Sequence, residues 1–299
     1  MRPELIEAVR LLRDNDADAV AAAIKLLQGT VYAFSMKVCG HPQDAEDTMQ
    51  DVLARSLPHL ARMSDPQALA AWLYTVTRNR CWRSRRKPLD APKQTLSLDE
   101  LMPTDTELIN LLGDPQANPE RQLLAREQNQ LLHTAILSMP SEYRLVLVLH
   151  DVEDLDTEQV AQVLDLLPGT VRVRLHRARL YVRKAMAQLA NAHSGRKSVA
   201  KSSKVPHSKA SKERPQACRE IFANLSEYLD DRMNAGSCEQ MRLHIEACPA
   251  CVAFIGDLRR AIDRCRNLEC LPESNLAPRL RSLLTKEYLR LLSVPVPEK

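Results

Sequence analysis

The chain has 299 residues, only seven glycines, eight cysteines and a formal net charge of +4, a length that suits two or three domains, each able to bury a core without cross-links. Its first stretch, MRPELIEAVRLLRDNDAD, places charges where a secretory signal needs apolar residues, and no apolar run approaches the roughly 18 residues of a membrane span. A cytoplasmic protein is predicted, in which clustered cysteines more often bind metal or do redox chemistry than form disulfides.

Scarce glycine, abundant Leu and Ala, and apolar positions recurring at three and four residues predict an all-α chain. The first block, 1–87, contains HPQDAEDTMQDVLARSL, where Asp44, Glu46, Asp47 and Asp51 surround an apolar stripe. Alone, that pattern is a solvated acidic face. SDPQALAAWLYTVTRNRCWRSRRK then predicts a helix capped by Ser64 or Asp65, opened by Pro66 and running to Lys87. Its second half carries Arg78, Arg80, Arg83, Arg85, Arg86 and Lys87, and Trp72, Tyr74 and Trp82 are interleaved along it. Aromatics beside cations suit single-stranded or melted DNA, with bases stacked on rings and phosphates on guanidinium groups. Trp72, spaced with Leu69, Leu73 and Val76, is assigned to the core, which leaves the C-terminal half of the helix for DNA.

Residues 88–118 hold Pro88, Pro92, Pro103 and Pro115 and the acidic LDELMPTDTE, with no sustained apolar stripe, and read as a linker. The second block, 119–191, contains DLDTEQVAQVLDLLPGTVRVRLHRARLYVRKAM. Asp156 caps a helix with Gln159 three positions on, a turn passes through Pro168 and Gly169, and a second helix begins near Thr170. Val171, Leu175, Ala178 and Val182 form one buried stripe on it, which turns Arg172, Val173, His176 and Arg177 outward, flanked by Arg174, Arg179, Arg183 and Lys184. A packed back, an outward N-terminal half and basic flanks are what a helix needs to read a major groove. The alternative is a solvated arginine face, but such faces normally include glutamates and this one has none.

The run SGRKSVAKSSKVPHSKASKERP within 192–217 is dominated by serine and lysine and is expected to be a disordered tether. The third block, 218–299, contains HIEACPAC. His244 and Cys248 are four apart, so they share a helix face, and Cys251 follows within the next turn. Zinc takes four ligands in a tetrahedron, and Cys218, at the start of CREIFANLSEYLDDRMNAG, can supply the fourth. One structural or regulatory Zn2+ is the expectation; buried thiols are the alternative. Cys238, Cys265 and Cys270 stand outside the string.

DAEDTMQDVL, AAWLYTVTRNR, SEYRLVLVLHDVEDLDTEQVAQVL and GTVRVRLHRAR together resemble the extracytoplasmic-function sigma factors of bacterial RNA polymerase, over roughly residues 15–190. The resemblance implies a region 2 bundle at 1–87 and a region 4 helix-turn-helix at 119–191. It further implies that Asp44, Glu46, Asp47, Gln50 and Asp51 dock on the clamp helices of the beta-prime subunit, with the beta flap as a second polymerase contact. The loop near 61–68 and the helix to Arg86 would open and hold the −10 element of a promoter, and the helix from Thr170 would read the −35 element. The turn departs from the family pattern, with Asp165 for glycine, Leu167 for proline and Pro168 displaced by one position. Aspartate tolerates left-handed geometry, so the turn is expected to survive with altered aim. Cys218-x25-His244-x3-Cys248-x2-Cys251, with SEYLDDRM between, resembles the zinc-binding anti-sigma fold. That likeness implies a following helix that clasps region 2, a part fitted by LPESNLAPRLRSLLTKEYLRLLS with Leu276, Leu280, Leu283, Leu284 and Leu291 as its stripe.

A transcription initiation factor without chemistry of its own is therefore expected, regulated in cis by its tail in response to redox state or metal. Two other classes fit less of the chain. A zinc hydrolase or deaminase needs H-E-x-x-H, which is absent, or H-x-E with P-C-x-x-C; Glu246 gives H-x-E by letter only. A zinc-containing helix-turn-helix regulator without a sigma role leaves the first block unexplained.

Overall fold

The computed structural model describes residues 2–14, 16–60, 65–84, 96–103, 121–193, 225–230, 235–268 and 278–293. All regular structure among them is helical, as the sequence predicts. The helices are α1 (Pro3–Arg13), α2 (Ala17–Cys39), α3 (Pro42–Leu60), α4 (Pro66–Ser84), α5 (Leu98–Leu101), α6 (Arg121–Ser138), α7 (Ser141–Leu147), α8 (Thr157–Leu164), α9 (Pro168–His193), α10 (Ala235–Ala247), α11 (Pro249–Arg266) and α12 (Pro278–Ser293), with a π-helical turn at Val148–Val152 after α7. The chain forms two compact units, one of Met1–Lys93, Arg144–Val171 and Leu268–Lys299, the other of Gln94–Tyr143 and Arg172–Asn267. These units cut across the sequence blocks, because part of the second block and the end of the third join the first.

In the first unit α2 is the central helix, with α1, α3, α4 and α12 packed on it. Asp16 accepts from the Asp18 and Ala19 amides at its start, and Gly40, at φ 75°, takes the left-handed conformation that ends it. Helix α2 corrects the expectation of no span-like segment. It has 23 residues and an 18-residue window of mean hydropathy 1.3, long and apolar enough to cross a membrane, but 67% of that window is buried inside the protein. A helix apolar on most sides is what the centre of a bundle requires. A second correction concerns Cys39 and Cys81, which are joined as a disulfide; the end of α2 and the body of α4 bring their Cα atoms to 6.0 Å, within disulfide reach.

Helix α4 is capped by Asp65, whose carboxylate accepts from the amides of Gln67 and Ala68. Its buried face is Leu69, Ala70, Leu73, Tyr74, Thr77 and Cys81. Trp72 and Val76, expected in the core, are only half-buried; the Trp72 ring lies against His59 with centroids 4.5 Å apart. Tyr74, expected beside the cations, takes the core position instead, its ring 4.8 Å from Phe34.

Helix α12 packs on α2 and α3 through Leu284, Thr285 and Tyr288. Arg281 donates to Gln28 Oε1 at 3.4 Å. Leu283, expected in the apolar stripe, is 55% exposed, since it lies a third of a turn off the face set by Leu284 and Tyr288. Leu276 lies outside the described residues, as do the side chain of Leu280 and the tether 192–217.

The second unit has one core built from Leu101, Leu180, Leu225, Met241, Cys251, Phe254, Ile255, Leu258 and Ile262. Leu96, Leu98 and Met102 pack against it, so part of the predicted linker is anchored by apolar side chains too few and too close together to register as a periodic stripe.

Candidate nucleic-acid interface

The helix-turn-helix is built by local rules. Asp156 and Gln159 form a reciprocal capping box at the start of α8, satisfying two backbone donors that a helix start otherwise leaves bare. Asp165 ends α8 in the left-handed conformation, φ 55° and ψ 54°, as expected for aspartate in place of glycine. The Leu166 amide donates back to Ala161 O at 2.9 Å. Pro168 opens α9, where a missing N–H costs nothing, and the amides of Thr170 and Val171 both return to Leu167 O. The predicted stripe of Val171, Leu175, Ala178 and Val182 is buried throughout.

The outer face of α9 divides in two. In its first turns Arg172 is exposed, Val173 is 53% exposed, and Thr170 and Arg177 are half-buried; Arg174 pairs with Glu142 at 3.1 Å. Further along, three polar residues are covered by the third block. His176, expected to face outward, is 7% exposed, with Nδ1 3.0 Å from Ser226 Oγ. Arg179, expected as an open flank, is fully buried and donates through both terminal nitrogens to the Asp230 carboxylate at 2.8 and 2.9 Å. The buried Arg183 side chain lies 3.3 Å from Asp257 and stacks 4.7 Å over the Phe254 ring. Helix α9 carries no acids of its own, so these arginines take partners from SEYLDDRM and from α11. A fork-shaped guanidinium facing a carboxylate is the strongest ion-pair geometry available to a side chain.

On α4, Arg78 donates to Val163 O at 2.7 Å and lies 5.4 Å over Trp82, which is 47% exposed. Burial holds the Arg78 guanidinium below the ordinary arginine range, against the opposing pull of Asp165. Arg80 reaches Asp51 at 2.9 Å, and the same carboxylate meets Arg55 at 2.9 Å. Together with Val76 and Asn79 these residues line an open groove of about 460 Å³. Arg85 and Arg86, and the side chain of Arg83, lie outside the described residues. On α3, Ala45, Met49, Val52, Leu53 and Leu57 are buried while Asp47 and Gln50 are exposed and Asp44, Glu46 and Asp51 half-exposed, leaving one acidic face open.

At the junction of α10 and α11, Cys248 is the N-cap residue of α11 and Cys251 is buried in its first turn. Two thiols three residues apart at a helix N-terminus share one face, and the bare amides there favour the thiolate. This donor chemistry fits a zinc ion. Among the described residues no group of three or more metal-ligating side chains gathers; Cys218 and the side chain of His244 fall outside them. Of the additional cysteines, Cys238 is half-buried and Cys265 buried, and Cys270 is not among the described residues.

Three family models match the chain: "Sigma-70 region 2" over residues 23–88, "Sigma-70, region 4" over 129–182 and "Putative zinc-finger" over 218–251. Among similar proteins, the ECF RNA polymerase sigma factor SigW of Bacillus subtilis is 25% identical over 184 residues, 60% of this chain and 96% of its own. The Probable RNA polymerase sigma factor RfaY of Xanthomonas campestris is 30% identical over 174 residues, 57% of this chain but 41% of its own longer sequence. The ECF RNA polymerase sigma-E factor of Escherichia coli is 27% identical over 141 residues, 46% of this chain and 70% of its own.

Proposed function

Since this chain belongs to the sigma-70 family, as a transcription initiation factor of the extracytoplasmic-function type with a zinc-finger-like tail, we propose that it is a cytoplasmic factor whose tail holds it inactive in cis. In this reading the acidic face of α3, with Asp44, Glu46, Asp47, Gln50 and Asp51, docks on the beta-prime clamp helices of core polymerase, and the region 4 block meets the beta flap. The basic half of α4, from Arg78 and Arg80 through Arg83, Arg85 and Arg86, holds the −10 element. The start of α9, with Thr170, Arg172, Val173, Arg174 and Arg177, reads the −35 element, and His176 and Arg179 join it once uncovered. The factor works by binding alone and has no catalytic residue.

One observation carries the reading: α9 presents an open cationic start, while its next arginines are plugged by Asp230 and Asp257. Carboxylates on guanidinium groups occupy the donors that phosphates would otherwise take. A second clasp, α12 on α2 and α3, supports inhibition at region 2 as well.

Transcription by core polymerase from a cognate promoter tests the DNA assignment. An Arg177→Ala chain is expected to lose roughly tenfold in promoter use, because a good bidentate arginine contact discriminates by about 1–3 kcal/mol. Wild-type transcription by that variant would remove Arg177 from the reading face.

Cys218, His244, Cys248 and Cys251 are the proposed ligands of a single Zn2+, which would tie the end of α10 and the start of α11 to the beginning of the third block. Small metal domains couple binding to folding. Chelation is therefore expected to lower the helical circular-dichroism signal and to increase hydrogen exchange over 235–268, with one zinc per chain in native mass spectrometry. A zinc-free native mass, or identical exchange before and after chelation, would exclude the ion.

A further inference from the structure

Glu153 lies just beyond the π-helical turn, its amide bonded to Val148 O at 2.9 Å. Its carboxylate is 1% exposed and gathers three groups from the first block. Oε1 accepts from Lys37 Nζ at 2.8 Å, Oε2 accepts from the Tyr74 hydroxyl at 2.8 Å, and Arg2 Nε lies 2.6 Å from Oε2. The side chain of Lys37 is fully buried on α2, and Tyr74 is in the core of α4. Burial alone would raise the Glu153 carboxyl, but Lys37 and Arg2, with the hydrogen bonds from Lys37 and Tyr74, hold it below the usual carboxylate range. Burial and the neighbouring charge of Glu153 push the Tyr74 hydroxyl well above its ordinary value. The cluster is therefore an ionised carboxylate among two cations and a neutral phenol.

Two more bonds join the same parts of the chain. Arg144 donates to Val38 O at 2.9 Å and Arg78 to Val163 O at 2.7 Å. The second occupies one of the arginines proposed for the −10 element. Promoter elements near positions −35 and −10 lie about 25 base pairs apart, roughly 85 Å along B-DNA at ~3.4 Å per base pair. Two blocks joined through hydrogen bonds cannot span that distance, so these contacts must part before both elements are read. A buried ion cluster suits such a contact. Its geometry is specific, yet the cost of taking the charges out of water offsets most of their attraction, so separation into water is accessible.

We propose that Glu153, gripped by Lys37, Tyr74 and Arg2, is a latch that closes the region 4 block on region 2, independently of the tail, and that its opening lets the two DNA-reading helices reach separate promoter elements. The inference rests on the promoter reading above for its consequence, but the latch itself is measurable without DNA.

The full-length protein, labelled through unnatural amino acids at the exposed positions Ala54 and Gln162, reports closure by energy transfer. Glu153→Gln strands the Lys37 charge in the closed form, and the open fraction is expected to rise roughly tenfold or more with helical content unchanged. The Lys37→Met, Glu153→Met double variant removes both charges and is expected to restore transfer towards wild type. Unchanged transfer in Glu153→Gln overturns the latch, as does loss of its helical signal, which would assign Glu153 to folding instead. If the variant opens without gaining promoter binding, the latch stands and the promoter reading fails.

Discussion

Asp230→Ala releases the buried half of α9 and raises transcription from a cognate promoter roughly tenfold or more above wild type. The side chain of Arg179 is fully buried and both its terminal nitrogens bond Asp230. Removing the carboxylate takes two charge-assisted hydrogen bonds from a buried guanidinium, which costs the closed arrangement about 1.5–3 kcal/mol per bond. That is enough to favour a state in which the arginine is hydrated or bound to phosphate. Ser226 on His176 and Asp257 on Arg183 remain, so release is expected to be partial, and a chain ending after Asn191 sets the upper limit. Hydrogen exchange along 176–190 should rise in parallel. Asp263→Ala, at an exposed position of α11, is the matched control and is expected to behave as wild type. Equal transcription and equal exchange in Asp230→Ala and wild type would sink the idea that the tail masks this helix.

Tyr288→Ala detaches α12 from the region 2 bundle. Tyr288 is buried against α2 and α3, its hydroxyl 3.5 Å from Leu12 O, with Leu284 and Thr285 beside it. Emptying an aromatic site of this kind costs about 3–5 kcal/mol, more than a single amphipathic helix on a bundle surface can lose and stay docked. Limited proteolysis should then cut within 278–293 at a rate at least tenfold above wild type. Leu283→Ala, which removes an exposed leucine from the same helix, should leave the cleavage rate unchanged. Equal cleavage of the Tyr288 variant and wild type would remove α12 as a clasp.

The helix-turn-helix was legible residue by residue because each of its determinants acts over four positions or fewer. A capping box, an aspartate that tolerates the left-handed region and a stripe at 3.6-residue spacing are all local; Pro168, assigned to the turn with the helix beginning near Thr170, is instead the first residue of α9. Periodicity also told correctly which face of α9 turns from its own stripe. It could not tell that Ser226, Asp230 and Asp257, fifty residues or more further along, would cover His176, Arg179 and Arg183, because polar and charge complementarity between distant segments leaves no periodic trace.

The same limit explains the exchange of roles between Trp72 and Tyr74. Both are aromatic and both fit an apolar spacing; the decision rests on a hydroxyl that finds Glu153 at a separation of 79 residues, and a buried hydroxyl needs such a partner. Lys37 in a mostly apolar helix was a visible irregularity in the sequence, but its counter-charge was not. The sequence by itself determined the helical class, the turn, the buried stripe of α9 and the spacing of potential zinc ligands, since these depend on backbone geometry and near neighbours. Tertiary structure alone decided which cations are open, which acids neutralise the rest, and which aromatic anchors each helix, because burial and pairing are properties of segments brought together across the chain.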